Sequence, residues 1–236
     1  MNRTQPIVDV LHITPLHLSA HAIRECHNSH GKSDTATNKS LIASWSGTED
    51  VAVCGPKDAA LIGRVGVKMK HASTLEHINV TLSIRSISRA LLQEWSRTRL
   101  MSQTVKSSRY TLAELGNYED GALPYYEDDL SLVDNHFTKF LYATGHNATD
   151  VASYRALIAL QDLIRSGASN DITKYAIPES FLTSLTATIN FRSLRNMLAL
   201  RTAPSALLEY RNLANAIYDA IPSEYQYLLE DCIYGN

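Results

Sequence analysis

The stretch INVTLSIRSISRALLQEWSR (Ile78 to Arg97) changes its period halfway along. Ile78, Val80, Leu82 and Ile84 alternate with Asn79, Thr81, Ser83 and Arg85, so an extended chain here has one apolar face and one wet face. From about Ser88 to Arg97 the pattern is helical. The same sequence of elements returns in FLTSLTATIN followed by FRSLRNMLALR (Phe181 to Arg201). There Phe181, Leu185, Ala187 and Ile189 share one side of a strand, interrupted by Thr183, and a helix follows at once. Two strand-to-helix units far apart in the chain are the frame on which the rest is hung.

Outward from them, most segments read as helix. Thr14-Pro15 has the form of an N-cap and a first helical proline, opening a helix toward Cys26. Residues 27–56 are small and polar and read mostly as loop, after which Pro56 opens a helix over Lys57 to about Lys70. LMSQTV (Leu100 to Val105) is a short extended piece. Leu130, Val133, Phe137, Phe140 and Leu141 recur at helical spacing, Val151–Arg165 ends at Gly167 as a C′ glycine, and Pro204 and Pro222 mark two final helices. Strands are few, no βαβ rhythm is present and no linker divides the chain. These features predict a helix-rich α+β fold in one domain, residues 1–236.

Composition narrows the function. With 44% apolar and 19% charged residues the chain is globular, and a net charge of −2 lacks the basic excess of a dedicated nucleic-acid binder. Cys26, Cys54 and Cys232 are too few and scattered for a disulfide framework or a CxxC metal site. No apolar run approaches the roughly 18–20 residues of a membrane span, and the N-terminus lacks the apolar core of a signal peptide, so a cytoplasmic protein is expected. His17 and His21 are one helical turn apart, but a two-histidine face is a weak signal and the chain has no HExxH, so no metal is expected.

The basic residues concentrate in two places. SRTRLMSQTVKSSRY (Ser96 to Tyr110) holds Arg97, Arg99, Lys106 and Arg109 among many hydroxyls. Arg97 and Arg99 cannot grip one small anion together unless the backbone turns between them, whereas Ser107 and Arg109 share a face if extended. A hydroxyl and a guanidinium on one face suit a phosphate or a planar acidic heterocycle. The second array is Arg192, Arg195 and Arg201, with Asn196 one turn from Arg192 on the same helix face. Each array follows a strand-helix unit, as two halves of one nucleotide-sized site would.

Arg97-Thr98-Arg99, seven residues, then Ser107-Ser108-Arg109-Tyr110 resembles the Arg-His-Arg, seven residues, Ser signature of the flavin-dependent thymidylate synthases. HASTLEH (His71 to His77) is similar to that family's His-x-Thr/Ser-x-x-Glu-His segment. KYAIPES (Lys174 to Ser180) and INFRSLRNMLALR (Ile189 to Arg201) resemble two further family segments in the same order. The resemblance implies the family's α+β fold with a small antiparallel sheet. It also implies a homotetramer whose active sites are shared between subunits. The implied reaction makes dTMP from dUMP with bound FAD, taking its one-carbon unit from 5,10-methylenetetrahydrofolate and its reducing equivalents from NADPH. By position, Ser73, Arg97, Thr98, Arg99, Val105, Asn190, Phe191, Arg192 and Asn196 are implied to contact FAD. Glu94, Trp95, Ser96, Arg97, Val105, Lys106, Ser107, Ser108, Arg109, Lys174 and Arg201 are implied to contact dUMP, Arg201 as the catalytic group that favours loss of the uracil N3 proton.

The chain departs from the pattern at Thr98, where the family has histidine, at Thr104-Val105, where Asn-Glu is common, and at Lys174, where arginine is common. Those departures keep two alternatives open. One is a dUMP-modifying enzyme of altered chemistry, such as a hydroxymethylase, on the same scaffold. The other is a non-catalytic nucleotide- or RNA-binding protein.

Overall fold

The computed structural model describes residues 2–35, 54–108, 112–118, 123 and 134–235. Four strands, β1 (Ile7–Ile13), β2 (Asn79–Ser88), β3 (Met101–Val105) and β4 (Leu182–Asn190), form one small antiparallel sheet in the order β1-β2-β4-β3. The longer helices are α1 (His17–Cys26), α2 (Pro56–Ile62), α3 (Arg89–Trp95), α4 (Asp134–Phe140), α5 (Asn147–Arg165), α6 (Phe191–Arg201) and α7 (Leu208–Ala220). The predicted α+β class, helix-rich with a small sheet, is what the structure has.

Contacts gather the chain into two compact units. One takes the first seven residues with Ile84–Arg97 and Gln103–Thr186; the other takes Val8–Ser83, Thr98–Ser102 and Ala187–Asn236.

In the second unit, the apolar face of β2 is buried as its alternation predicts: Ile78, Val80 and Leu82 are fully inaccessible. On the other face, the Thr81 and Thr188 hydroxyls meet at 2.9 Å across β2 and β4. Asn190 ends β4 and caps α6, its side-chain oxygen accepting from the Ser193 amide at 2.9 Å. That cap explains the abrupt switch from strand to helix at Phe191. Helix α6 packs on α7 and on a 3-10 segment, Ala72–His77, which in turn packs on α1. Helix α2 runs on as a π-helical segment, Gly63–Lys68, in line with the predicted Lys57–Lys70 helix.

In the first unit, Ser88 caps α3 by accepting from the Leu91 amide at 3.0 Å. The unit's core is built from Leu112, Leu115, Phe137, Leu141, Tyr154 and Leu157. Helix α5 ends in a Schellman motif. Gly167, at φ +88°, donates to Ile164 O and Ala168 donates to Leu163 O, as the predicted C′ glycine requires.

Two readings are corrected. Thr14 does not cap α1: Leu16 holds the cap position without a side-chain bond, and the Thr14 hydroxyl instead accepts from the Asn79 amide at 3.1 Å. Strand β1 was not predicted. It has no buried residue in the protomer, so its sequence carries no clean apolar alternation to read. Most of the predicted loop 27–56, residues Leu130 and Val133 of the predicted helical stretch, and Arg109 lie outside the described residues.

Candidate active site

In the second unit, the start of α6 and the 3-10 segment Ala72–His77 form one wall. Ser73 and Arg192, both expected at FAD, line a cleft of about 440 Å³ with Lys70, His71 and His27. Arg192 is oriented by Glu76, its guanidinium donating to Oε1 at 2.6 Å. Lys70 takes a left-handed turn (φ +58°) that directs the chain into the Ala72–His77 segment. A lysine and an arginine beside two imidazoles and a serine hydroxyl fit the charge of a dinucleotide's diphosphate. Asn196 is exposed on the same helix as Arg192. Phe191, also expected at FAD, is fully buried at the start of α6.

Arg201 is the last residue of α6, and its guanidinium carbon lies 4.5 Å from the centroid of the Tyr210 ring on α7. Tyr210 is itself fully buried, and its hydroxyl hydrogen-bonds the Thr98 hydroxyl at 2.8 Å. Thr98, the departure in the signature, is therefore turned inward onto the residue that carries Arg201. Arg195 is committed elsewhere: it donates to both oxygens of Asp231 at 2.7 Å, and this pairing holds the Asp231 carboxyl below its ordinary pKa. Arg99 is exposed, and the chain reverses just after it at Leu100 (φ +58°). That reversal lies beyond Arg99 and not between Arg97 and Arg99.

In the first unit, α3 is held from its N-terminus. The Arg89 and Ala90 amides donate to Phe181 O and Glu179 O, and Gln93 donates to the Glu179 carboxylate at 2.8 Å. At its other end, Trp95 is fully buried, Glu94 is partly buried, and Ser96 and Arg97 are exposed. Past β3, Val105 is partly buried, while Lys106 and Ser107 face solvent and Ser108 is partly buried. The Lys106 amide donates to Ser184 O at 2.8 Å, and its ammonium pairs with Glu114 at 3.0 Å. Lys174 is exposed at the head of a 3-10 turn, Lys174–Ala176. A cleft of about 780 Å³ opens here, lined by Arg85, Lys106, Lys139, Tyr118, Phe140 and Phe181 among others.

Residues 9–224 match the family described as thymidylate synthase complementing protein. The chain belongs to that family. The span matched by the thymidylate synthase complementing family includes every site residue named above. The flavin-dependent thymidylate synthase of Campylobacter jejuni is 42% identical over 229 residues, covering 97% of this chain and 98% of that one. That of Wolinella succinogenes is 43% identical over 221 residues, covering 94% and 96%. A crystal structure of thymidylate synthase X from Helicobacter pylori, with FAD and dUMP, superposes with a TM-score of 0.82 at 41% identity, covering 97% of this chain and 99% of that one.

Three residues escaped the reading of the sequence. Glu76 stood within a recognised motif without a role. Tyr210 is an aromatic at helical spacing, which reads as core. Lys70 sits at a helix end, where a solvated lysine is ordinary. Only their spatial neighbours, Arg192, Arg201 and Ser73, reveal them.

Proposed function

We propose that the protein is a flavin-dependent thymidylate synthase. In this reading it makes dTMP from dUMP with bound FAD, takes the one-carbon unit from 5,10-methylenetetrahydrofolate and has its flavin reduced by NADPH. It acts in the cytoplasm as a homotetramer with active sites shared between subunits. The observation that carries the reading is Arg201. The motif that resembles the family's FAD and dUMP segments ends on a guanidinium seated over a buried tyrosine ring, in a chain 41% identical to a synthase crystallised with FAD and dUMP.

The chemistry follows from these residue types. Uracil C5 is a poor nucleophile until the ring gains negative charge. A guanidinium stays cationic at any working pH, and set against the N3–C=O edge it favours the ring with N3 deprotonated. Negative charge then reaches C5, which attacks the methylene carbon of the folate. Ser107, Ser108 and Arg109 would hold the dUMP phosphate, with Lys106 and Lys174 adding charge. Ser73, Lys70 and Arg192 would hold the FAD diphosphate in their cleft, with Asn190, Asn196, Arg97, Thr98 and Arg99 around the rest of the cofactor. The chemistry that a bound FAD supplies is hydride delivery, which completes the methyl group. None of the three cysteines is needed as a nucleophile at C6.

The test is an anaerobic incubation of purified protein with FAD, NADPH, methylenetetrahydrofolate and dUMP, the pyrimidine product being weighed by mass spectrometry. Thymidylate is the expected product. A hydroxymethylated nucleotide would replace this reading with the altered-chemistry one, and a protein that binds neither flavin nor dUMP would end both.

A further inference from the structure

We propose that His21, Glu25 and His30 form a binding site for one zinc-type divalent ion per chain, separate from the nucleotide chemistry. His21 and Glu25 lie one turn apart on the same face of α1. His30 arrives from the short 3-10 turn His30–Lys32, which folds back over that face. The His30 Nε2 and Glu25 Oε2 atoms are 2.6 Å apart, the two imidazole centroids are 4.7 Å apart, and the three donor atoms lie within 4.8 Å of one another. Closing three such donors to about 3.3 Å around a metal at roughly 2.0–2.1 Å needs only side-chain rotation. All three side chains have room to rotate because they reach solvent in the protomer.

The placement of His30 does not depend on its contact with Glu25. An exposed contact of that kind contributes little even when both partners are charged. The turn is instead tied down from beneath. The chain reverses at Asn28, in left-handed backbone (φ +45°), and the Ser29 amide donates to Arg24 O at 3.0 Å. The Arg24 guanidinium, buried, donates to Ser29 O at 3.2 Å and to the buried Asp58 carboxylate. Asp58 also accepts from the Ser33 and Thr35 hydroxyls beyond the turn. A buried polar network thus fixes both flanks of His30 and presents its imidazole to the helix.

Two imidazoles and one carboxylate are a borderline nitrogen and oxygen donor set, which zinc and cobalt(II) accept and which magnesium and calcium, preferring oxygen, do not. Three protein ligands leave a fourth position to water. The other helical-spaced histidine of α1, His17, takes no part, because it is buried away from solvent at 5% exposure. Bound metal would pin the turn at residues 27–35 to α1, beside the cleft that His27 and Cys26 help to line.

Cobalt(II) titration of metal-stripped, full-length protein, followed by its visible d–d absorption and by zinc competition, tests the site. The expectation is one equivalent per chain, displaced by zinc, with affinity falling tenfold or more in His21→Gln and in His30→Gln. His146→Gln, a surface histidine elsewhere, should leave it unchanged. Absence of stoichiometric binding overturns the proposal. So does binding that survives the double variant His21→Gln/His30→Gln. Since the readout is metal binding, failure of thymidylate formation leaves the result intact.

Discussion

Removing the Thr98 hydroxyl, as Thr98→Val does at nearly constant volume, should weaken the support beneath Arg201. The bond to Tyr210 is 2.8 Å long, and Tyr210 is fully buried. A hydrogen bond of this kind contributes about 0.5–1.5 kcal/mol net. Tyr210→Phe removes the same bond from the other side while keeping the ring under Arg201. Each single variant should therefore lose about 1 kcal/mol of unfolding free energy in urea, and the double variant should lose little more than either. The catalytic arm of the test is Tyr210→Leu, which takes away the ring face 4.5 Å from the Arg201 guanidinium. A cation over an aromatic face is worth about 0.5–2 kcal/mol, so kcat for thymidylate should fall roughly 2- to 30-fold with flavin content unchanged. Additive losses in the Thr98→Val/Tyr210→Phe double variant would show that the two hydroxyls do not interact. Unchanged turnover in Tyr210→Leu would show that Arg201 acts without the ring.

Arg201→Ala should lower turnover by about 10²- to 10³-fold, as loss of a preorganised charge does, while the protein stays yellow; normal turnover would remove Arg201 from the mechanism. Asp58→Asn leaves the buried Arg24 uncompensated and should cost about 3–5 kcal/mol in denaturant unfolding. Burial works to raise the Asp58 carboxyl, but hydrogen bonds from Ser33, Thr35 and Arg24 outweigh it and hold the pKa below the ordinary value. Its stabilising effect is therefore complete above the unfolded carboxylate range and is lost as pH falls below about 4, so the variant should show a flatter acid limb than wild type. A methyl group at Gly116 would sit 2.5 Å from Ile164 Cγ2. Gly116→Ala should accordingly cost about 1–3 kcal/mol, in part recovered by Ile164→Ala in the same chain.

The fold was legible wherever a face is buried and a cap is present. β2 and β4 alternate because their inner residues are inaccessible, and both hand over to helices at capping residues, Ser88 and Asn190. β1 offered no such contrast, since Ile7 and Leu11 are exposed. Thr14 misled because a threonine before proline has the chemistry of a cap, and only the fold shows that its hydroxyl accepts from a distant strand. At the site, the basic arrays and the Ser73 motif were visible as residue types. Their partners were not, because Glu76 to Arg192 and Thr98 to Tyr210 are separated by 116 and 112 residues, beyond any local pattern. The metal-type triad was equally hidden: its third member becomes a neighbour only through the reversal at Asn28.

Leu100 turns the chain between Arg99 and β3 in left-handed backbone while its side chain is 73% exposed. A branched residue there carries strain of roughly 1–2 kcal/mol that asparagine or glycine would largely avoid. The signature segment thus carries local backbone strain at Leu100. Leu100→Asn should raise thermal stability, and it gives a dial on the stiffness of the arginine turn that leaves every residue assigned to a ligand in place. Whether turnover rises or falls when that dial is moved would report how far this enzyme's working geometry is held by a wound spring instead of by its bonds.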